Sequence, residues 1–391
     1  MIYLYISDFD DPTVGLADYS SAFMKALENL AAVRKLTVKT CHVPGSCGPE
    51  EESQWASCKD SLVEYCRKLS PKDQIHFEIC RNDNFRWKLL QEFIKDRLIT
   101  AQLNATIHDP PEIIGQIVAP LSENKILPGK WWRPYFRKIW RKSPFAYSIL
   151  RRSLRAIDRI YLLTQSGADT LRQSFDLSCT ELVRLPHVQF NTISRQGRDF
   201  KSLRSERLVI GFMGAWGKHK GIEFAVEQLE DLAKEGEEFE FWISGVSRNK
   251  KYRQKIDKLL AEHEQSLGIK KFGLLDVSEF RKFTEACDLV IFPYRPGGKV
   301  QASGILMRAL EGGACVLTSD SCGPFDEAIQ DNAVESFSWE HPEEFKAKVR
   351  SLLSNSERRS YLREKSSQFL LTRHATKLIT SKMNEALARL D

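Results

Sequence analysis

The sequence predicts an α/β protein made of two Rossmann-like domains, each a doubly wound parallel sheet, and three observations carry that prediction. At 391 residues, with 42% apolar content, the chain is too long for one ordinary core and suits two of nearly equal size. Apolar runs of strand length alternate with stretches of helical periodicity, as parallel strands joined by crossover helices require. In the second half, two glycine-bearing loops follow apolar strands and lead into helices: LVIGFMGAWGKHKG (208–221) and CDLVIFPYRPGGKVQASG (287–304).

Composition narrows the class. A net charge of +6 is modest, so its distribution matters more than its sum. The nine Cys, at 41, 47, 58, 66, 80, 179, 287, 315 and 322, include no CxxC pair and no metal-ligand spacing, which predicts reduced thiols in a cytoplasmic protein and no metal site. MIYLYISDFDD reads as a first strand and not as a signal peptide. No stretch reaches the roughly 20 apolar residues of a membrane span, so any membrane contact is expected to be peripheral.

Taken in order, IYLYI (2–6) is a buried strand, and the loop after it carries Gly15 to a helix over 16–30. The runs VRKLTVKTCHV, SLVEYCRKL, IHFEIC and WKLLQEFIKDRL continue the strand-helix rhythm to residue 100. ATIHDPP then ends a strand with His108 at its carboxyl end, where open α/β sheets bind ligands.

Residues 125–155 break the rhythm, with ten Lys and Arg, no acid, and Trp131, Trp132, Tyr135, Phe136, Ile139 and Trp140 interleaved. The spacing predicts a basic helix with an aromatic face. Three readings compete: contact with an anionic membrane, a core face with solvated charges behind it, or nucleic-acid binding. The first is favoured, since aromatic rings prefer the headgroup layer and basic side chains are drawn to anionic lipid. No nucleic-acid module accompanies the patch.

DRIYLLTQSGADTLRQSF predicts a strand and a helix, and VRLPHVQF a further strand. The polar run 191–207 reads as a linker. The first domain is therefore placed at 1–195, the linker at 196–207 and the second domain at 208–370. In that second domain a strand over 208–213 leads through Gly214, Gly217 and Gly221 to a helix from Ile222. Lys218 and Lys220 bring positive charge to this helix start, a suitable seat for phosphate. FEFWISG, IKKFGLL and CDLVIF are strands, and Ser303-Gly304 open a helix whose buried face holds Ile305, Leu306, Ala309 and Leu310. The tail after Pro342 is helical, ending in two amphipathic pieces.

Segment 293–320 resembles the donor-site signature of GT-B glycosyltransferases, in particular the retaining group that includes glycogen-synthase-like and bacterial lipopolysaccharide enzymes (glycosyltransferase family 4-like). That signature has two Glu separated by seven residues, with a Gly inside. Gln301 stands at the first Glu, Gly304 at the Gly and Ala309 at the second Glu. In the loop 213–221, Lys220 matches a family Lys that grips the donor diphosphate, while Ala215 stands where an Arg is usual, a contact that Lys218 or His219 would have to replace.

The resemblance implies two domains facing a cleft, with a last helix over 371–391 returning to the first domain. It implies transfer of a hexosyl-type sugar from a nucleotide-diphosphate-sugar, with retention, no cofactor and no metal, to a glycan or lipid-linked acceptor in surface polysaccharide synthesis. Gly214, Lys218, Lys220, Arg295, Gln301, Ser303, Gly304 and Ile305 are the expected donor contacts. Gly15 and His108 face the acceptor, and Lys220 and His108 are the expected catalytic residues. The location implied is the cytoplasm, on the inner face of the plasma membrane. The departures at 215, 301 and 309 keep two other readings open: a non-catalytic binding protein of the same fold, and a nucleotide-sugar epimerase.

Overall fold

The structure, a computed structural model, describes residues 1–7, 9, 16–43, 59–80, 84–108, 144–190, 198–247, 249–296, 303–320 and 325–389. Gly15, Gln301 and residues 125–143 of the basic aromatic stretch lie outside them. The chain divides into two compact units, Met1–Val188 with Thr376–Asp391, and Gln189–Ala375.

The first unit is a six-stranded parallel sheet in the order β2-β1-β3-β4-β5-β6, formed by β1 (Ile2–Ser7), β2 (Thr37–His42), β3 (Gln74–Ile79), β4 (Gln102–Ile107), β5 (Arg159–Leu162) and β6 (Glu181–Arg184). Its described helices are α1 (Leu16–Arg34), α2 through 59–67, α3 (Asn84–Lys95), α4 (Pro144–Arg155) and α5 (Gln165–Ser174). Strand periodicity sorts the side chains onto two faces. Leu4, Ile6, Ile75, Phe77, Ala105, Ile107, Ile160 and Leu162 form an apolar core with Trp87, Leu90 and Phe93 of α3 and Leu150 and Leu154 of α4. Within 144–155, Leu150 and Leu154 are thus core.

The opposite face of the same sheet is equally buried and largely polar: Tyr3, Tyr5, His76, Glu78, Asn104, Thr106, Arg159 and Tyr161. Helix α1 covers it, with Phe23 against Tyr5 and His76 at ring distances of 5.2 and 5.5 Å. The last helix of the chain, Thr376–Ala388, belongs to this unit. Its Asn384 side chain accepts from Arg34 Nε at 2.5 Å, and Thr380 Oγ1 donates to the Ala26 carbonyl at 3.3 Å.

The second unit repeats the architecture with the order β12-β11-β10-β7-β8-β9, all parallel. The strands are β7 (Leu208–Phe212), β8 (Phe239–Ser244), β9 (Lys270–Phe272), β10 (Leu289–Phe292), β11 (Val316–Ser319) and β12 (Glu335–Phe337). Its core joins Ile210, Phe212, Phe241, Ile243, Ile291 and Leu317 to Leu229 and Leu232 of the helix Ile222–Lys234 and to Phe345 and Val349 of the helix Pro342–Ser354. Local signals place the helices: Asp276 and Glu279 form a capping box that starts Val277–Ala286, and Asn249 caps Lys250–Glu262. Ser356–Phe369 runs through a π-helical turn, Leu370–His374, that ends the unit.

Three expectations change. The strand expected over VRLPHVQF stops at Arg184, ahead of Pro186, which has no N–H to continue the ladder. The strand expected over 269–275 keeps only Lys270–Phe272, because the Gly273 carbonyl turns to accept from Gly245 N at 2.6 Å. Residues 198–207, placed in the linker, are mostly exposed but are anchored to the second unit at two points. Phe200 is buried against Phe272 and Phe283, and Arg204 pairs with Asp288 at 2.6 Å.

Candidate functional site

In the second sheet β7 has β8 on one side and β10 on the other, so the chain leaves β7 and β10 toward opposite directions of winding. The carboxyl ends of such a strand pair open a crevice where ligands bind. The two loops singled out in the sequence leave from these two ends, and they touch.

The first loop closes through the turn Lys218–Lys220 into Gly221, at φ 71°. A Cβ on Gly221 would lie 1.9 Å from the Pro293 carbonyl oxygen, so only glycine lets the backbone reach β10 in that left-handed conformation. Gly214, at φ 107°, likewise lies under Ile305, whose Cγ1 would be 3.3 Å from an added Cβ. Arg295 N donates to the His219 carbonyl at 2.9 Å, tying the second loop to the first.

Lys220 is half-buried, donates to the Tyr294 hydroxyl and holds its ammonium 3.8 Å from the centre of that ring. Tyr294 is itself buried, packed on Phe325, and its carbonyl accepts from Ser319 Oγ at 2.6 Å. The sequence reading passed over Tyr294. Its one signal was an aromatic residue in a loop otherwise made of Pro, Gly and charge.

Ser303 caps its own helix, Gly304–Glu311, accepting from Leu306 N at 3.2 Å. Its hydroxyl serves the helix, and the anion-attracting element at this end is the helix terminus with its backbone amides. Gly214, Lys220, Ser303, Gly304 and Ile305 are thus assembled around the ends of β7 and β10, with Lys218 and Arg295 exposed on the same two loops. Ala215 is exposed and supplies no charge. Ala309 is fully buried, and Glu311 Oε1 accepts from Phe190 N at 2.5 Å. Glu311 is accordingly a backbone anchor, in keeping with the turn of the helix between 309 and 311. Gly15 and Gln301 lie outside the described residues.

His108 belongs to the first unit, just beyond β4. Its Nε2 lies 2.7 Å from Glu78 Oε2, its side chain is 11% exposed, and the Tyr19 ring meets it edge-on at 4.6 Å. Glu78 is fully buried. Burial alone would raise its carboxyl, but hydrogen bonds and charge interactions with His108 and His76 outweigh this and bring it down to about 2. Glu78 and His76 were not singled out from sequence, although a His and a Glu alternating with Ile and Phe in IHFEI mark a strand with one polar face.

The comparisons with known proteins bear on the fold and on the second unit. Residues 195–369 match the family described as "Glycosyl transferases group 1". No curated sequence matches the chain at a significant level. Among solved structures, sucrose-phosphate synthase from Thermosynechococcus elongatus superposes with a TM-score of 0.71 at 14% identity, covering 100% of this chain and 99% of that one. Anabaena HepE in complex with UDP and glucose gives 0.65 at 13% identity, covering 100% of both chains. WaaG, a glycosyltransferase involved in lipopolysaccharide biosynthesis, gives 0.58 at 13%, covering 99% of this chain and 98% of that one. At these identities the likeness carries the fold, and the family match carries the second unit. The chain therefore has the two Rossmann-like units of the GT-B fold, and its residues 195–369 match the glycosyl transferases group 1 family.

Proposed function

We propose that the protein transfers a sugar from a nucleotide-diphosphate-sugar to a glycan or lipid-linked acceptor, with retention of anomeric configuration, in surface polysaccharide synthesis. The observation that carries the reading is the meeting of the loop 213–221 with residues 293–296 and 303–305 beyond the ends of β7 and β10, with Lys220 against Tyr294. The donor diphosphate would sit against the amides that open Gly304–Glu311 and against Lys220, with Lys218 and Arg295 adding positive charge. As the sugar leaves, negative charge builds on the phosphate oxygen. A preorganised ammonium and backbone amides stabilise that charge, each contribution being typically ~3 kcal/mol. His108 serves the acceptor side. UDP-sugars are the first donors to try, because HepE structures carry UDP and glucose.

The test is a panel of nucleotide-sugars scored both for thermal protection and for transfer or slow hydrolysis. The activity is supported by one donor that does both. Protection without turnover would favour a binding protein of this fold, a reading that the uncharged Ala215 and Ala309 keep in play.

An anionic membrane is the proposed meeting place with the acceptor. Among the described residues no helix is long and apolar enough to cross a membrane. Helix α4, which continues the basic stretch, lays Arg151, Arg152 and Arg155 with Ser148 along a shallow groove of about 390 Å³. Binding to anionic vesicles should weaken with salt and with replacement of Arg137, Lys138, Arg141 and Lys142 by Glu. Indifference of the unmodified protein to such vesicles at low salt would reject the membrane.

A further inference from the structure

The buried polar face of the first sheet ends at His108, and its hydrogen bonds have a definite direction. Burial pushes the Tyr3 and Tyr5 phenols well above their ordinary range, so both are neutral donors. Tyr3 Oη lies 2.5 Å from His76 Nδ1, and with the phenol donating there the His76 hydrogen is on Nε2. That Nε2 lies 2.8 Å from Thr106 Oγ1 and 3.3 Å from Glu78 Oε1. Tyr5 donates to Glu78 Oε1 at 2.9 Å. Glu78 is therefore ringed by donors at full burial, the condition under which a carboxylate stays ionised away from water. An ionised carboxylate can only accept, so the His108 nitrogen 2.7 Å from its Oε2 must carry a hydrogen.

We propose that Glu78 is a positioning residue that holds the His108 hydrogen on Nε2, so that the neutral imidazole presents Nδ1 as a hydrogen-bond acceptor. The consequence for recognition is that His108 reads a hydroxyl group as a donor at Nδ1. Carboxylate control of the far nitrogen of an imidazole is a general way of setting both its orientation and its tautomer. Thr106, His76, Tyr3 and Tyr5 act behind Glu78, holding the carboxylate in place and in its charged form. The assignment of a substrate hydroxyl to His108 rests on the glycosyltransferase reading; the assignment of the tautomer does not.

The experiment separates the two. Protein labelled with ¹⁵N-histidine is examined by long-range ¹H–¹⁵N correlation without substrate, and the His108 signals are identified by their loss in His108→Ala. The expected result is Nε2–H for His108 in the unmodified protein. In Glu78→Gln a single amide oxygen serves Tyr5, His76 and His108, so the Nδ1–H form should become populated. An Nδ1–H tautomer, or an imidazolium with hydrogen on both nitrogens near neutral pH, in the unmodified protein overturns the proposal even if Glu78→Gln fails to fold, and so does an unchanged tautomer in a folded Glu78→Gln. With an active donor in hand, Glu78→Gln should lower transfer about tenfold, the scale of one mis-set hydrogen bond to a charged group. The double variant with His108→Ala should be no slower than His108→Ala alone. An added loss in the double variant shows Glu78 acting by another route and overturns the positioning role. The predicted tautomer together with unaltered transfer in His108→Ala would remove His108 from the substrate site and support the Glu78 assignment for the imidazole itself.

Discussion

The two units solve the same problem, placing chemistry at the end of a parallel sheet, by opposite means. In the second unit the central strands β7 and β10 are apolar, and the candidate groups sit on the loops that follow them, brought together by glycines and one buried tyrosine. In the first unit the polar groups are within the strands themselves, and a hydrogen-bonded face under α1 delivers its outcome to a single exposed edge, His108. Loops that must approach a phosphate need bare backbone and mobile charge, while a side chain that must hold one orientation needs support from a layer that cannot relax.

Removing the charge from the loop site should produce the largest change. Lys220→Ala is expected to cut transfer by roughly 10²–10³, with a small fall in melting temperature from the lost contacts to the buried Tyr294. Wild-type turnover would withdraw Lys220 from the donor. Tyr294→Phe, which removes the hydroxyl and keeps the ring face, should fall between the two in a kinetic assay.

The loop closure is the next target. Gly221→Ala meets both a positive φ and the Pro293 carbonyl, so the turn and β10 must separate. A loss of about 1–3 kcal/mol is expected from the strained backbone alone, measured by denaturant unfolding, along with loss of donor protection. A neutral substitution would mean that the two loops do not press together.

In the first unit the equivalent probe is pH. The Glu78 carboxyl lies at about 2 when folded, below the ordinary 4.5. Its stabilisation is therefore present above about pH 4.5 and disappears as pH falls toward 2. The stability gap between the unmodified protein and Glu78→Gln should be widest near neutrality and close through that acidic window. A gap independent of pH would mean that Glu78 is buried neutral. The smallest effect is expected from Glu311→Gln. Because the amide oxygen can still accept from Phe190 N, donor affinity should hold by calorimetry and the melting temperature should shift little.

The rhythm of strands and helices was legible in the second unit because it rests on apolar runs such as LVIGF and LVIF and because glycine marks where its loops turn, and in the first unit from runs such as IYLYI. Lys220 and Ser303 could be found for the same reason: they sit beside those glycines. What stayed hidden depends on contacts distant in sequence. Glu78 and His108 are thirty positions apart, and only the pairing of β3 with β4 makes them neighbours. Tyr294 gains its role from Lys220 on another loop. Phe200, in a run polar enough to read as a linker, is buried by two rings from the far side of the second unit. Ala215 and Ala309 were visible departures from the resembled pattern; the first is exposed and the second fully buried.

The helix Thr376–Ala388 also has a bearing on how the protein is made. Residues 189–375 leave the ribosome as a contiguous stretch containing every strand of the second sheet. The first unit waits longer, since α1 is covered in part by residues translated only after that whole stretch. The half begun first is completed last, reversing the usual order in which amino-terminal domains finish ahead of those that follow. Until Asn384 reaches Arg34, a nascent chain carries a finished second unit and an unfinished first one, and this is the interval in which a chaperone would find apolar surface to hold.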